Sequence, residues 1–168
     1  MKNLKKITLF ITMLLLTGIA SAQGKKASPA VTEKGTINDA NITIEYSSPS
    51  VKGREIWGGL VPYSKIWRAG ANDATTFTTD KAILIEGKKL PAGTYSFFVI
   101  PEKDSATIIF NKEAKQWGAY KYNEEKDQLR VKVTPKKSKK MNERLVYTIN
   151  KNNITLSWEN WDIPVMIK

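Results

Sequence analysis

Between Tyr46 and Thr76 the chain gathers Arg54, Trp57, Trp67, Arg68, Asn72 and Asp73 in a stretch too rich in Gly and Pro to form one helix or one strand. These residue types define the chemistry on offer. A guanidinium is a planar fork of donors that grips a carboxylate or phosphate at two points, and an indole face stacks on sugar rings and other flat or apolar bodies. Trp117 and Tyr120, in a second Gly-containing segment, complete the set of candidate ligand-binding residues. A structural role stands beside each. An Arg–Asp pair is the simplest staple of a long loop to a sheet, and a buried tryptophan is ordinary in the core of a small β-sandwich. Trp158 and Trp161, close to the end of the chain, read as core or sheet-edge residues.

The chain contains no His and no Cys, which removes more chemistry than any motif supplies. A Ser-His-Asp triad, a thiolate nucleophile and His-ligated zinc or iron are all excluded. Acid–base work falls to Asp, Glu, Lys or Tyr. Glycoside hydrolysis needs two carboxyl groups about 5–10 Å apart, and Asp73 and Glu55 are candidates by position only, so no catalytic residue is assigned. A metal site built from oxygen ligands suits calcium or magnesium, but the chain has no Asp-x-Asp-x-Asp-Gly loop, and neither metal nor cofactor is expected. Gly70-Ala71-Asn72-Asp73 lacks the spacing and following helix of a phosphate-binding fingerprint and reads as a tight turn.

The elements that must position these residues follow from a period close to two. Ile42 and Ile44, then Leu129, Val131 and Val133, then Ile154, Leu156 and Trp158 alternate with polar residues, as half-buried strands do. Tyr95 to Ile100, Ala106 to Phe110 and Leu145 to Ile149 are richer in aromatic and β-branched residues and read as more completely buried strands, and Thr75 to Thr79 also reads as a strand. Asn38-Asp39, Glu86-Gly87-Lys88, Pro101 to Asp104 and Asn150 to Asn153 supply hairpin turns between such runs. Helix is expected only as single turns, after Pro62 in Val61 to Trp67 and within Lys112 to Trp117. The prediction is an all-β, single-domain antiparallel sandwich or barrel of about eight to ten strands, with a jelly-roll-like arrangement among the options.

Residues 1–22 carry Lys2, Lys5 and Lys6, the apolar run Ile7 to Leu16 and the box Ala20-Ser21-Ala22, the order of a secretory signal peptide cleaved after Ala22. The apolar run is too short to span a bilayer, which takes about 20 residues, and no later stretch is apolar enough, so a soluble periplasmic or secreted product without a transmembrane segment is expected. Taking 22 from 168 leaves 146 residues, with 23–30 as a flexible lead-in and 31–168 as the β domain. The net charge of +11 falls to +8 without the three leader lysines. Much of the excess lies in Lys136-Lys137-Ser138-Lys139-Lys140, read as a solvated loop between strands. For an exported chain, anionic glycans or lipid headgroups are the relevant partners of a basic surface, and nucleic acid is not expected. Without cysteine, packing and strand pairing must supply the stability.

Several long blocks carry a resemblance: Tyr46 to Arg54, Ile56 to Tyr63, Trp67 to Thr76, Leu90 to Ser96, and Phe110 to Lys112 through Gln116 to Tyr120. Together they resemble the exported bacterial, Bacteroidota-type family catalogued as domain of unknown function 2911, and the likeness covers nearly all of the chain after the leader. The resemblance implies export and a single domain and assigns no activity. It also leads us to expect Glu more often than Asp at position 73, a change that keeps the charge and alters the reach. The functional expectation is a soluble small-ligand or glycan binding or accessory module of the cell envelope. A carboxylate-dependent glycan hydrolase or lyase and a structural or assembly partner are the alternatives. Ligand identity and oligomeric state are not written in the sequence.

Overall fold

The computed structural model describes residues 27–168. The predicted signal peptide, 1–22, and residues 23–26 of the predicted lead-in lie outside the described residues. The described chain is all-β with ten strands: β1 (Ala30–Ile37), β2 (Ala40–Ser47), β3 (Thr75–Thr79), β4 (Ile83–Ile85), β5 (Lys88–Leu90), β6 (Gly93–Pro101), β7 (Ala106–Asn111), β8 (Asp127–Val133), β9 (Lys136–Ile149) and β10 (Asn153–Met166). Ala30 already pairs with Ser47, so the first strand begins one residue inside the predicted lead-in.

Six strands form one antiparallel sheet in the order β1-β2-β3-β6-β7-β8, and its two ends do not join, so the fold is sandwich-like and not a closed barrel. The opposing layer is built on the long β9–β10 hairpin. Pro49 to Val51 pairs with one edge of this hairpin through Val51 N–H to Glu143 C=O at 2.7 Å and Leu145 N–H to Pro49 C=O at 3.0 Å. On the other edge, the β4–β5 hairpin pairs with the chain just past β10, where Leu84 and Lys168 exchange backbone hydrogen bonds of 2.6 and 2.9 Å.

The turn chemistry explains the pairing. Asn38 and Asp39 both adopt positive φ, as do Glu86 and Gly87, the geometry that lets a two-residue connection match the twist of its strands. Alternation then sends Ile42, Ile44, Phe77, Phe97, Val99, Ile108, Phe110 and Val131 of the six-stranded sheet inward against Leu145, Tyr147, Ile154, Leu156, Trp158, Ile163 and Val165. β6 and β7 are buried on both faces because Phe98 and Ile109 pack outward under Ile66, Ala119 and Tyr122. Leu145 to Ile149 behaves differently from expectation. Val146 and Thr148 are exposed, because no described residue covers the outer side of the hairpin there.

Two further expectations are corrected. Neither Val61 to Trp67 nor Lys112 to Trp117 forms a helical turn, since their amides are drawn to distant carbonyls. Ser64 N–H goes to Pro101 C=O and Trp67 N–H to Val99 C=O, each at 2.9 Å, and Lys112 N–H goes to Lys126 C=O at 2.9 Å. The helical turn that does form is the 3₁₀ turn Glu124–Lys126, whose N-cap Asn123 accepts the Glu125 N–H. The lysine run Lys136 to Lys140 is not a loop. It opens β9, with Lys136 opposite Asp162 and Lys137 opposite Trp161, while its lysines stay exposed. Among the described residues no helix is long and apolar enough to cross a membrane.

The last part of the fold is the excursion of residues 48–74 between β2 and β3, neighbours that a two-residue turn would serve. Its tryptophans interlock with those of β10. Trp57 stacks on Trp161 at 4.5 Å between ring centroids, Trp67 stacks on Trp158 at 5.7 Å, and Trp57 meets Trp67 edge-on at 5.7 Å. The Nε1 groups of Trp57 and Trp158 are buried without a hydrogen-bond partner among the described residues. Burying one indole contributes about 4–6 kcal/mol by area, against about 1–3 kcal/mol for an unpaired N–H, so the packing wins.

A second tether joins the excursion of residues 112–126 to β8. Tyr122 Oη donates to Asp127 Oδ2 at 2.6 Å, Arg130 Nε donates to the same carboxylate at 2.5 Å, and Asn111 Nδ2 donates to Asp127 Oδ1 at 2.7 Å. Burial of the Tyr122 phenol, reinforced by the hydrogen bond to Asp127, pushes its pKa up from the ordinary 10.0 to about 12.

Two outcomes follow. Trp57→Ala is expected to lower stability by about 3–5 kcal/mol in urea unfolding, whereas Trp117→Ala, at an exposed indole, stays within about 0.5 kcal/mol. Equal losses at the two positions would contradict the packing described. Because the folded protein holds the Tyr122 proton more tightly than the unfolded chain, this residue's contribution is complete below pH 10 and is lost as pH rises towards 12. The urea midpoint of wild type should therefore fall more steeply over that window than that of Tyr122→Phe; parallel slopes would refute the tether.

Candidate functional site

The excursion 48–74, here the connector, is fixed along its whole length. Trp67 exchanges two backbone hydrogen bonds of 2.9 Å with Val99, continuing β6 beyond the end of β3. Ala69, in the left-handed region at φ 54°, turns its carbonyl into the core, where Tyr147 Oη and Thr75 Oγ1 both donate to it at 2.9 Å. Full burial pushes the Tyr147 phenol well above its ordinary pKa, which keeps it a donor. Gly70 allows the close approach that follows. A Cβ there would lie 2.9 Å from Thr75 Oγ1 and 3.1 Å from the Ser47 carbonyl oxygen.

The connector and the 112–126 excursion meet side by side. Ala74 N–H donates to Gln116 C=O at 2.9 Å and Gly118 N–H donates to Asn72 C=O at 3.2 Å, so Asp73 lies opposite Trp117. This contact builds a groove of about 380 Å³ lined by Glu45, Asp73, Thr76, Lys115 and Gln116. Lys115 and Gln116 also line an adjoining depression of about 540 Å³ with Trp117, Tyr120 and Lys121. Trp117 is 61% exposed and Tyr120 85%, and they are the large exposed aromatics among the described residues. Gly118, at φ 63°, brings its backbone under the Tyr120 ring, where a Cβ would come within 2.9 Å of the ring carbons. The Gln116 side-chain oxygen is buried without a partner among the described residues, although its Nε2 donates to Glu113 C=O at 2.9 Å and Ser96 Oγ at 3.2 Å.

The eight candidates therefore do not form one site. Trp57 is buried within the indole cluster, and Asn72, at φ 60°, spends its side chain on Ser47 Oγ at 3.1 Å. Arg54 caps its own turn, donating from Nε to Val51 C=O at 3.0 Å and from Nη2 to Ser50 C=O at 2.5 Å. Arg54, Trp67 and Arg68 line a depression of about 420 Å³ that shares no lining residue with the Asp73 groove. Asp73, Trp117 and Tyr120 belong to the continuous groove and aromatic platform on the other side.

The Arg–Asp staple is overturned: among the described residues no ion pair joins Arg54 or Arg68 to Asp73, and the Ala69 carbonyl fastens the loop instead. Glu55 is also not the partner of Asp73, since Glu45 shares its groove. The sequence alone does not single out Glu45, Lys115, Gln116 or Lys52. Glu45 had a usable signal, because alternation along β2 places it on the outer face. Gln116 had none, since its place depends on the pairing with Ala74. Among the described residues no three carboxylates gather where a metal ion could be held.

No curated protein and no solved structure matches the chain. The blocks that build the connector, the 112–126 excursion and the strands beneath them all fall within residues 28–167, which match the family described as protein of unknown function (DUF2911), and the chain belongs to that family.

Proposed function

We propose that the chain is a glycan-binding module of the bacterial cell envelope, exported by its leader sequence. The observation that carries this reading is the pair of exposed rings, Trp117 and Tyr120, fixed beside a groove lined with carboxylate, amide, hydroxyl and ammonium groups. Leaving two aromatic rings in water forgoes their burial energy, and a sugar ring restores it by stacking while its hydroxyls take up the polar groups. Gln116 lines both the groove and the platform, and its side-chain amide, donating to Glu113 C=O and Ser96 Oγ, fixes the junction between them. The site is ready before the ligand arrives, since backbone pairing and the Tyr122–Asp127–Arg130 tether hold both excursions, so little ordering cost opposes binding.

A second reading rests on Asp73 and Glu45 lining the same groove, the arrangement a carboxylate-dependent hydrolase or lyase would use. One experiment addresses both. Titration of the protein with oligomers of neutral and acidic glycans, followed by calorimetry and by assay for newly formed sugar ends, should give binding without cleavage. Trp117→Ala and Tyr120→Ala should each weaken binding by about tenfold while leaving the fold intact. Cleavage abolished in Asp73→Asn would favour the enzyme, and binding indifferent to both aromatic substitutions would remove the platform from the proposal.

A further inference from the structure

The depression on the arginine side of the connector is used by none of the residues of the groove and platform. It is about 420 Å³ in volume, and Lys52, Arg54 and Arg68 converge on it between walls that include Leu60, Trp67 and Trp158. No Asp or Glu lines it. Among the described residues the ion pairs involve Lys126 and Arg130 and none of these three cations. Residues 1–26 contain no Asp or Glu, so the rest of the chain cannot supply the missing charge. Glu143 comes near, but its Oε1 accepts the Lys52 backbone N–H at 3.0 Å, not the ammonium.

The donor inventory sharpens the picture. Arg54 spends Nε and one Nη2 proton on backbone carbonyls, which orients the plane and leaves its other N–H groups uncommitted. Arg68 has no hydrogen bond to any described residue through its side chain, and its Nε is buried without a partner. Three like charges around one concavity repel one another, and the apolar walls reduce the solvent screening that would relieve them. An anion reverses the sign of that term.

We propose that this depression is a second binding site, specific for an oxyanion, the carboxylate or phosphate group of a small ligand. Arg68 and Lys52 supply the charge, the outer N–H groups of Arg54 set the orientation, and the body of the ligand rests on the Trp67 and Leu60 wall. The site is independent of the glycan platform.

The test is calorimetric titration of the full-length protein with glucuronate, glucose 6-phosphate, inorganic phosphate and neutral glucose, at low and high salt. At least one of the anionic probes should bind with an affinity that falls as salt rises and that depends on Arg68, whereas any binding of neutral glucose, which belongs to the platform, should depend on neither salt nor Arg68. Binding of glucuronate alone assigns the carboxylate as the natural group, and binding of the phosphates alone assigns the phosphate. Arg68→Gln should weaken the anionic probe by about tenfold or more, and Lys139→Gln, at an exposed lysine that lines neither site, should leave it unchanged. Lys52→Gln, at an exposed turn residue, gives the same reading should Arg68→Gln fail to fold. Absence of binding by all three anionic probes, binding of glucose as dependent on Arg68 as theirs, or affinity unaltered in both cation variants would overturn the proposal.

Discussion

The docking of the connector onto β10 by four indoles is the interaction on which the rest of this structure depends. Residues 48–74 have no regular secondary structure, so their backbone entropy is compensated neither by a strand ladder nor by a helix. Ordering each residue costs about 1–2 kcal/mol, a sum that scattered loop hydrogen bonds do not offset alone. Trp57 and Trp67 supply the missing term by burying large rings against Trp161 and Trp158. The bulged register of β10 between Ser157 and Trp161 belongs to the same arrangement, since it lets Trp158 and Trp161 both meet the connector's rings where strict alternation would place residues three apart on opposite faces.

Polar contacts then convert a docked loop into a defined surface. The Ala69 carbonyl, with two hydroxyl donors, and the paired amides of Trp67 and Val99 determine where the connector's polar side chains emerge. The neighbouring excursion inherits that order through Ala74 to Gln116 and Gly118 to Asn72, and its far end is secured by Asp127. Rigidity thus passes from the core to the connector and on to the Trp117–Tyr120 segment. Removing a ring from the first step would loosen the last one, although no atom of Trp57 lines the groove or the platform.

Much of the scaffold was legible because it rests on local signals. Asn38-Asp39 and Glu86-Gly87 announce their hairpins by tolerating positive φ, and Ile42, Ile44 and Phe77 announce their faces by alternation. Lys136 to Lys140 hid a strand because the chain spends no apolar residue there and the pairing is driven by β10 across the hairpin. The site was legible as a region and not as a set of contacts. Trp57 and Trp117 carry the same indole and differ only in what the fold places around them, and no spacing rule distinguishes a ring sandwiched by Trp161 from one left at a rim. Arg54 likewise looked free for a ligand or for Asp73, yet part of its guanidinium serves carbonyls three and four residues back, a local geometry that composition does not encode.

The failure of the expected Arg–Asp staple leaves the connector with two differently charged faces. Between Arg68 and Asp73 the backbone enters the left-handed region twice, at Ala69 with φ 54° and at Asn72 with φ 60°. These reversals carry Arg68 to the depression beside Trp67 and Asp73 to the groove beside Gln116, so opposite charges close in sequence are kept from neutralising each other. Pairing them would have satisfied both groups at a cost to neither sheet, since a surface ion pair contributes only about 0–1 kcal/mol and its loss is tolerable. Keeping them apart leaves one face cationic and lets Asp73 share the other with Glu45 of β2, so the two faces carry different charge on either side of one rigid loop. The separation adds nothing to stability, so its physical consequence lies in the charge that each face keeps.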